Sequence, residues 1–182
     1  ERYGKNKFGL SLLMAYRLIR AGVNLVQVNL GKNSSWDTHR RNFVNLKNNL
    51  LPYTDRAVAA LLDDLVATGI LKDTLVVWAG EFGRTPMSEM RRPEDANNAG
   101  RDHNPNGYSI WLSGGGIKTG QVIGKTDDFS LNILEEKVHV NDLQATILHL
   151  LGFDHTRLTY RFMGREFRLT DVHGEVVKKM LA

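Results

Sequence analysis

The apolar positions of this chain change period in a regular order. Phe8, Leu12, Ala15, Leu18 and Ile19 recur at helical spacing ahead of Gly22, which stands where a terminating glycine would, and predict an amphipathic helix over residues 6–21. Residues 23–30 then switch to a strand pattern. A polar helix is expected from about Arg40 to a break near Pro52. After it comes a helix capped by Thr54, with the stripe Val58, Leu61, Leu62, Leu65 and Val66, closed by Gly69. The run Leu75 to Ala79 is continuously apolar and suits a central strand covered on both faces. Tyr108 to Leu112 reads as a further strand, Gln121-Val122-Ile123 as a hairpin-like region, and Asp142 to Leu151 as a helix capped by Asn141 and closed by Gly152. The tail from Thr159 to Leu169 alternates poorly and is expected to be short strand and loop.

Helix, strand, helix, strand in this order predicts an α/β fold, a doubly wound and mostly parallel sheet, with residues 1–182 as one domain. The polar stretch from Glu81 to Gly107 has no periodicity. Its ends are expected to carry function and Arg91 to Ala99 to be mobile. Gly114-Gly115-Gly116 follows a strand but lacks the Lys-Ser/Thr ending of a phosphate loop, so a turn is the better reading.

Acids and histidines gather where the strand patterns end or begin: Trp36-Asp37-Thr38-His39, Gly80-Glu81-Phe82-Gly83-Arg84-Thr85-Pro86 and Gly100-Arg101-Asp102-His103-Asn104-Pro105. Open α/β sheets collect ligands at the carboxyl ends of their strands, so loops far apart in sequence can converge on one site. Asp37, His39, Glu81, Asp102 and His103 are therefore candidate metal ligands, and Asp37 and His39, one residue apart, can point to the same side of an extended loop. Each has a plainer use when taken alone: Asp37 as a helix cap, His39 as a surface imidazole, Glu81 as a partner of Arg84, Asp102-His103 as a turn. Arg84 and Arg101 are candidate substrate-binding residues, because a planar guanidinium grips phosphate or sulfate bidentately, although either can equally be a structural ion pair. Carboxylate with imidazole suits zinc, manganese or iron, and carboxylate with water suits magnesium or calcium, so a divalent ion is expected without a choice among them. His149 lies on the last apolar helix, as a buried or rim histidine. His139, His155 and His173 lack a strand-end context, although Asp171 and His173 could add an outer pair.

The 182 residues, 42% hydrophobic and 24% charged, are enough for one sizeable core. With zero cysteines, disulfides and thiolate zinc sites are excluded. The net charge of +4 is spread along the chain, and no Lys/Arg run interleaved with aromatics forms a nucleic-acid platform, so no nucleic-acid partner is expected. No apolar run approaches the roughly 20 residues of a membrane span. The chain opens on Glu1-Arg2-Tyr3 without an initiator Met and reads as a piece of a longer protein.

The runs Trp78 to Pro86 and Gly100 to Gly107, with Val26 to His39 and Val138 to Gly152, resemble the alkaline phosphatase superfamily and, within it, a bacterial sulfatase-like family of unknown function. That resemblance covers nearly the whole chain. It implies a metal-dependent hydrolase of sulfate or phosphate esters, with one or two divalent ions (zinc, manganese, calcium or magnesium), acting on a small-molecule or polysaccharide anionic ester. Asp37 and His39 would match the acid and histidine of one ion, and His103 the late histidine completing its shell. Glu81-Phe82 stands where the superfamily carries an Asp-His dipeptide, one imidazole fewer for a second ion. The nucleophile would come from an early strand upstream of Glu1, leaving Ser34, Ser35 and Thr85 as nearby hydroxyls only. A fragment without that strand is expected to be inactive or incompletely folded. The full-length protein would be periplasmic or secreted. The alternative is a non-catalytic relative that binds a polyanion or a protein partner.

Overall fold

Asn6 sits in extended backbone and its side chain accepts a hydrogen bond from the Gly9 amide at 3.0 Å, so helix α1 (Lys7–Arg20) begins on a satisfied donor. It ends where the spacing predicts, with Arg17 and Arg20 in the last turn and Gly22 at a φ of 89°. The computed structural model describes residues 1–88 and 98–182. These divide into two compact units, residues 1–71 with 82–105 and residues 72–81 with 106–182. Of the stretch expected to be mobile, residues 91–97 lie outside the described residues.

In the first unit α2 (Asn42–Asn45) runs through a π-helical turn (Leu46–Leu50) into α3 (Leu51–Ala67). The expected break at Pro52 and cap at Thr54 are both corrected. Pro52 lies in the first turn of α3, and the widened turn just before it is where the i→i−4 ladder, which proline cannot join, is interrupted. Thr54 lies inside the helix, 1% exposed, its hydroxyl without a hydrogen-bond partner among the described residues. Leu12, Ala15 and Tyr16 on α1 and Ala57, Ala60, Leu61 and Leu65 on α3 form the core where these helices pack; Val66, expected in the stripe, is exposed. Arg2 and the Tyr3 hydroxyl both donate to the Asp64 carboxylate, at 2.5 and 2.8 Å, and bind the amino end to α3.

The strands are short: β1 (Val76–Trp78), β2 (Gly83–Arg84), β3 (His103–Asn104), β4 (Trp111–Ser113), β5 (Lys125–Thr126), β6 (Ile133–Glu135), β7 (Thr159–Phe162) and β8 (Arg165–Arg168). They form four two-stranded antiparallel ladders, β1 with β4, β2 with β3, β5 with β6 and β7 with β8. The expected doubly wound, mostly parallel α/β sheet is therefore overturned. A parallel pair needs a crossover, usually a helix, and none lies between β1 and β4 among the described residues. β1 is not covered on both faces either, since Val77 is exposed. Residues 23–30 do alternate, with Val26, Val28 and Leu30 half-buried and Leu25, Gln27 and Asn29 exposed, but join no ladder among the described residues. Alternation specifies an extended backbone with one inward face; it does not supply a partner strand.

In the second unit Val77 of β1 lies opposite Leu112 of β4, and the Trp78 and Trp111 rings stack at 6.3 Å. Helix α4 (Val140–Leu150) starts two residues before the predicted position. His139, rather than Asn141, is its cap. Asp142 accepts from the His139 amide on one carboxylate oxygen and from the Glu175 amide on the other, both at 2.9 Å, so a single side chain joins the helix start to the carboxyl-terminal segment. Leu143, Ala145 and Thr146 face inward, and Gly152 at φ 85° ends the helix as expected. The β7–β8 hairpin turns at Met163-Gly164, both with positive φ, the conformation of a tight primed turn. The hairpin expected near 121–123 is displaced to β5 and β6.

Candidate metal centre

Residues 34–39 form a compact reversal, with Asp37 N donating to Ser34 O, Thr38 N to Trp36 O and His39 N to Asp37 O at 3.0 to 3.1 Å. The Trp36 indole N–H donates to Leu30 O, and buried Thr38 bonds its hydroxyl to the Asn42 side chain. His103 arrives on β3, directly opposite Arg84 of β2, and the ladder is extended by Thr85 N donating to Asp102 O at 2.8 Å. Backbone bonds join the two segments: Arg101 N to Thr38 O, Arg41 N to Asn98 O and Asn42 N to Ala99 O. Gly100 is where they touch. A Cβ there would lie 2.0 to 2.4 Å from His39 backbone atoms, so only glycine permits the approach.

This lacing brings three ligand atoms together. His39 Nε2 lies 3.1 Å from His103 Nε2, His103 Nε2 lies 2.8 Å from Asp37 Oδ1, and His39 Nε2 lies 3.0 Å from the same oxygen. Two ligands held about 2.1 Å from one ion and roughly 90° apart are themselves about 3 Å apart, so the triangle has the edge lengths of a facial ligand set. It is the one group of three or more potential metal-binding side chains whose donor atoms converge among the described residues. Two imidazoles and a carboxylate are also a chemically sound donor set for a borderline divalent ion.

Asp37 Oδ1 is crowded. Besides both imidazoles it accepts from Arg84 Nη1 at 2.7 Å, three neighbours for an oxygen with about two lone pairs. The hydrogen bond from His103, then that from Arg84 and the charges of His39 and Arg84, outweigh partial desolvation and hold the Asp37 carboxyl down to about 2. Asp37 is thus a carboxylate, the form that binds a cation, throughout the ordinary pH range.

The other expected metal ligands, and Arg101, stand outside the triangle. Asp102 is outside the triangle, its Oδ1 4.0 Å from the opposite ring nitrogen of His39, Nδ1. Glu81 is exposed and is not among the converging ligands. Arg101 stacks over the Phe43 ring at 4.7 Å and donates to Gly100 O at 2.7 Å, a structural engagement rather than a place at the triangle. Phe82 is the residue that sequence reasoning missed. Its ring lies 4.2 Å from that of His103 and 5.2 Å from the Arg84 guanidinium, so it forms a wall for both. The only signal for it was an aromatic between Glu81 and Gly83 at the start of β2. His139 and His173 line a cleft of about 490 Å³ with Asp142, Arg168 and Glu175, without converging donor atoms. His155 is buried, its Nδ1 2.9 Å from the Thr170 hydroxyl.

A family model described as "Protein of unknown function (DUF1501)" matches residues 1–181. The chain belongs to the DUF1501 family. No curated protein and no solved structure matches it. Membership in DUF1501 corrects the assignment to the alkaline phosphatase superfamily: no sulfatase or alkaline phosphatase family matches, and short antiparallel ladders replace the sheet that this assignment implied. Among the described residues of this DUF1501 chain, no helix is long and apolar enough to cross a membrane.

Proposed function

We propose that this chain carries a divalent-metal centre, Asp37, His39 and His103, that serves hydrolysis of an anionic phosphate or sulfate ester. The observation that carries the reading is the triangle of donor atoms with edges of 2.8 to 3.1 Å. Three protein ligands leave coordination positions open, as hydrolytic centres require. A divalent ion bound there would supply Lewis-acid polarisation of the ester and neutralise charge developing on it. Arg84, half-buried beside the triangle, contributes a second cation whose flat fork suits a tetrahedral oxyanion. Phe82 packs its ring against that of His103, 4.2 Å away.

The test is metal analysis of the purified full-length protein, followed by assays of aryl phosphate and aryl sulfate cleavage with zinc, manganese, magnesium or calcium added. Turnover that is abolished by a chelator, restored by one of these ions and lost in Arg84→Met is expected. A protein that binds metal and either anion but turns over neither ester would support the second reading, a non-catalytic module for a polyanion. One observation favours that alternative: two of the nearby hydroxyls, Ser35 and Thr85, donate to the backbone carbonyls of Lys32 and Met87.

A further inference from the structure

The Asp102-His103 dipeptide does two different things at the centre. His103 turns its Nε2 into the triangle, while Asp102, one residue earlier on the same backbone, faces the other ligand histidine from behind. The relevant atoms are on opposite sides of one ring: His39 Nε2 is the donor atom in the triangle, and His39 Nδ1 is the atom nearest Asp102 Oδ1, at 4.0 Å. A histidine that ligates through Nε2 must hold its proton on Nδ1, and ligand histidines commonly donate that proton to a carboxylate.

We infer that Asp102 is the positioning residue for His39, holding its ring in the Nδ1–H tautomer so that Nε2 is presented to the ion; this rests on the metal reading above. The separation of 4.0 Å is longer than a hydrogen bond and short enough to be closed by a small side-chain movement or bridged by one water. The backbone keeps the carboxylate in place. Asp102 N donates to Met87 O at 3.3 Å, Asp102 O accepts from Thr85 N at 2.8 Å, and the neighbouring Arg101 N bonds to Thr38 O, next to His39. The close approach of Gly100 to the His39 backbone fixes the distance between the two segments. The two ligand histidines are therefore steadied by different means, His103 by the Phe82 ring and His39 by a carboxylate.

Zinc titration calorimetry on the wild type, Asp102→Ala, Asp102→Asn and Asp102→Glu, together with ¹⁵N NMR of the histidine rings in the metal-free proteins, tests the assignment. Asp102→Ala and Asp102→Asn should each bind zinc roughly 10 to 100-fold more weakly than the wild type. The melting temperature of the metal-free protein should be unchanged, and the His39 signals should move toward the Nε2–H tautomer. Asp102→Glu, which keeps a carboxylate, should recover most of the affinity. A merely structural Asp102 would not move the tautomer. Wild-type affinity and an unchanged His39 tautomer in Asp102→Ala and Asp102→Asn would overturn the role of Asp102 and leave the metal centre intact, whereas a wild-type protein that binds none of zinc, manganese, magnesium and calcium in the same titration would overturn both.

Discussion

His39 Nε2 and His103 Nε2 face each other at 3.1 Å, although 64 residues separate them in the chain. Neutral imidazole nitrogens this close need a shared proton or a shared cation between them. With Asp37 Oδ1 as the third corner, His103→Ala removes one of three ligands. The loss of metal should exceed the roughly 10 to 100-fold that even outer residues of such centres command. Elemental analysis of the two proteins purified side by side checks this; equal metal content would remove the centre from consideration.

Gly100→Ala should damage the same centre without touching a ligand. The added methyl would lie 2.0 to 2.4 Å from the His39 backbone, a separation that backbone cannot tolerate, so residues 38–40 and 100–102 must move apart. Zinc affinity and urea stability should fall together. A variant with wild-type values for both would mean that the two segments are not held as described.

Tyr3 gives a pH dependence of known sign. Burial, then its hydrogen bond to Asp64, pushes the phenol above its ordinary 10.0. A group whose folded pKa is raised stabilises fully below the unfolded value and loses that contribution as pH rises through the folded one. Stability should therefore decline from about pH 10 upward, more steeply in the wild type than in Tyr3→Phe. Urea titrations of both proteins at pH 9 and pH 11 supply the comparison, and parallel declines would show that Tyr3 ionises normally.

Leu65 is 1% exposed on α3, the helix that packs against α1. Leu65→Ala should cost about 2–5 kcal/mol through lost burial and the cavity left behind. Denaturant midpoints measure this, and a cost below about 1 kcal/mol would mean that the helix pair is loosely packed.

The helices were legible because their signal is local. The i, i+3, i+4 spacing of Leu12, Ala15 and Ile19 and of Leu61, Leu62 and Leu65 needs no knowledge of the rest of the chain. The ladders were not, because the direction and even the existence of a partner strand are non-local: Val76 to Trp78 read the same whether paired parallel or antiparallel. The site shows the same division. Asp37, His39 and His103 stand out because few residue types can ligate a metal, and they do meet, though through a two-residue antiparallel ladder and a laced loop rather than at the ends of parallel strands. An acid that points into a cluster and one that stands behind it are the same letter, so Asp102 and Asp37 could not be told apart in advance. From the sequence Phe82 stands out only as a missing imidazole, because an aromatic wall has no pattern of its own.

The helical rod from Asn42 through the π turn to Ala67 has a further consequence. Its far end carries Leu65 in the core, while its near end bonds Thr38 through Asn42 and supports the Arg101 guanidinium on Phe43. The triangle is thus fastened to the same helical segment that supplies part of the unit's core, and folding and ion capture draw on one free-energy difference. A ligand that binds only the folded form raises stability in proportion to the logarithm of its concentration over Kd. Added zinc should shift the melting transition upward, and a lesion buried some twenty residues along the rod should register as a weaker grip on the ion.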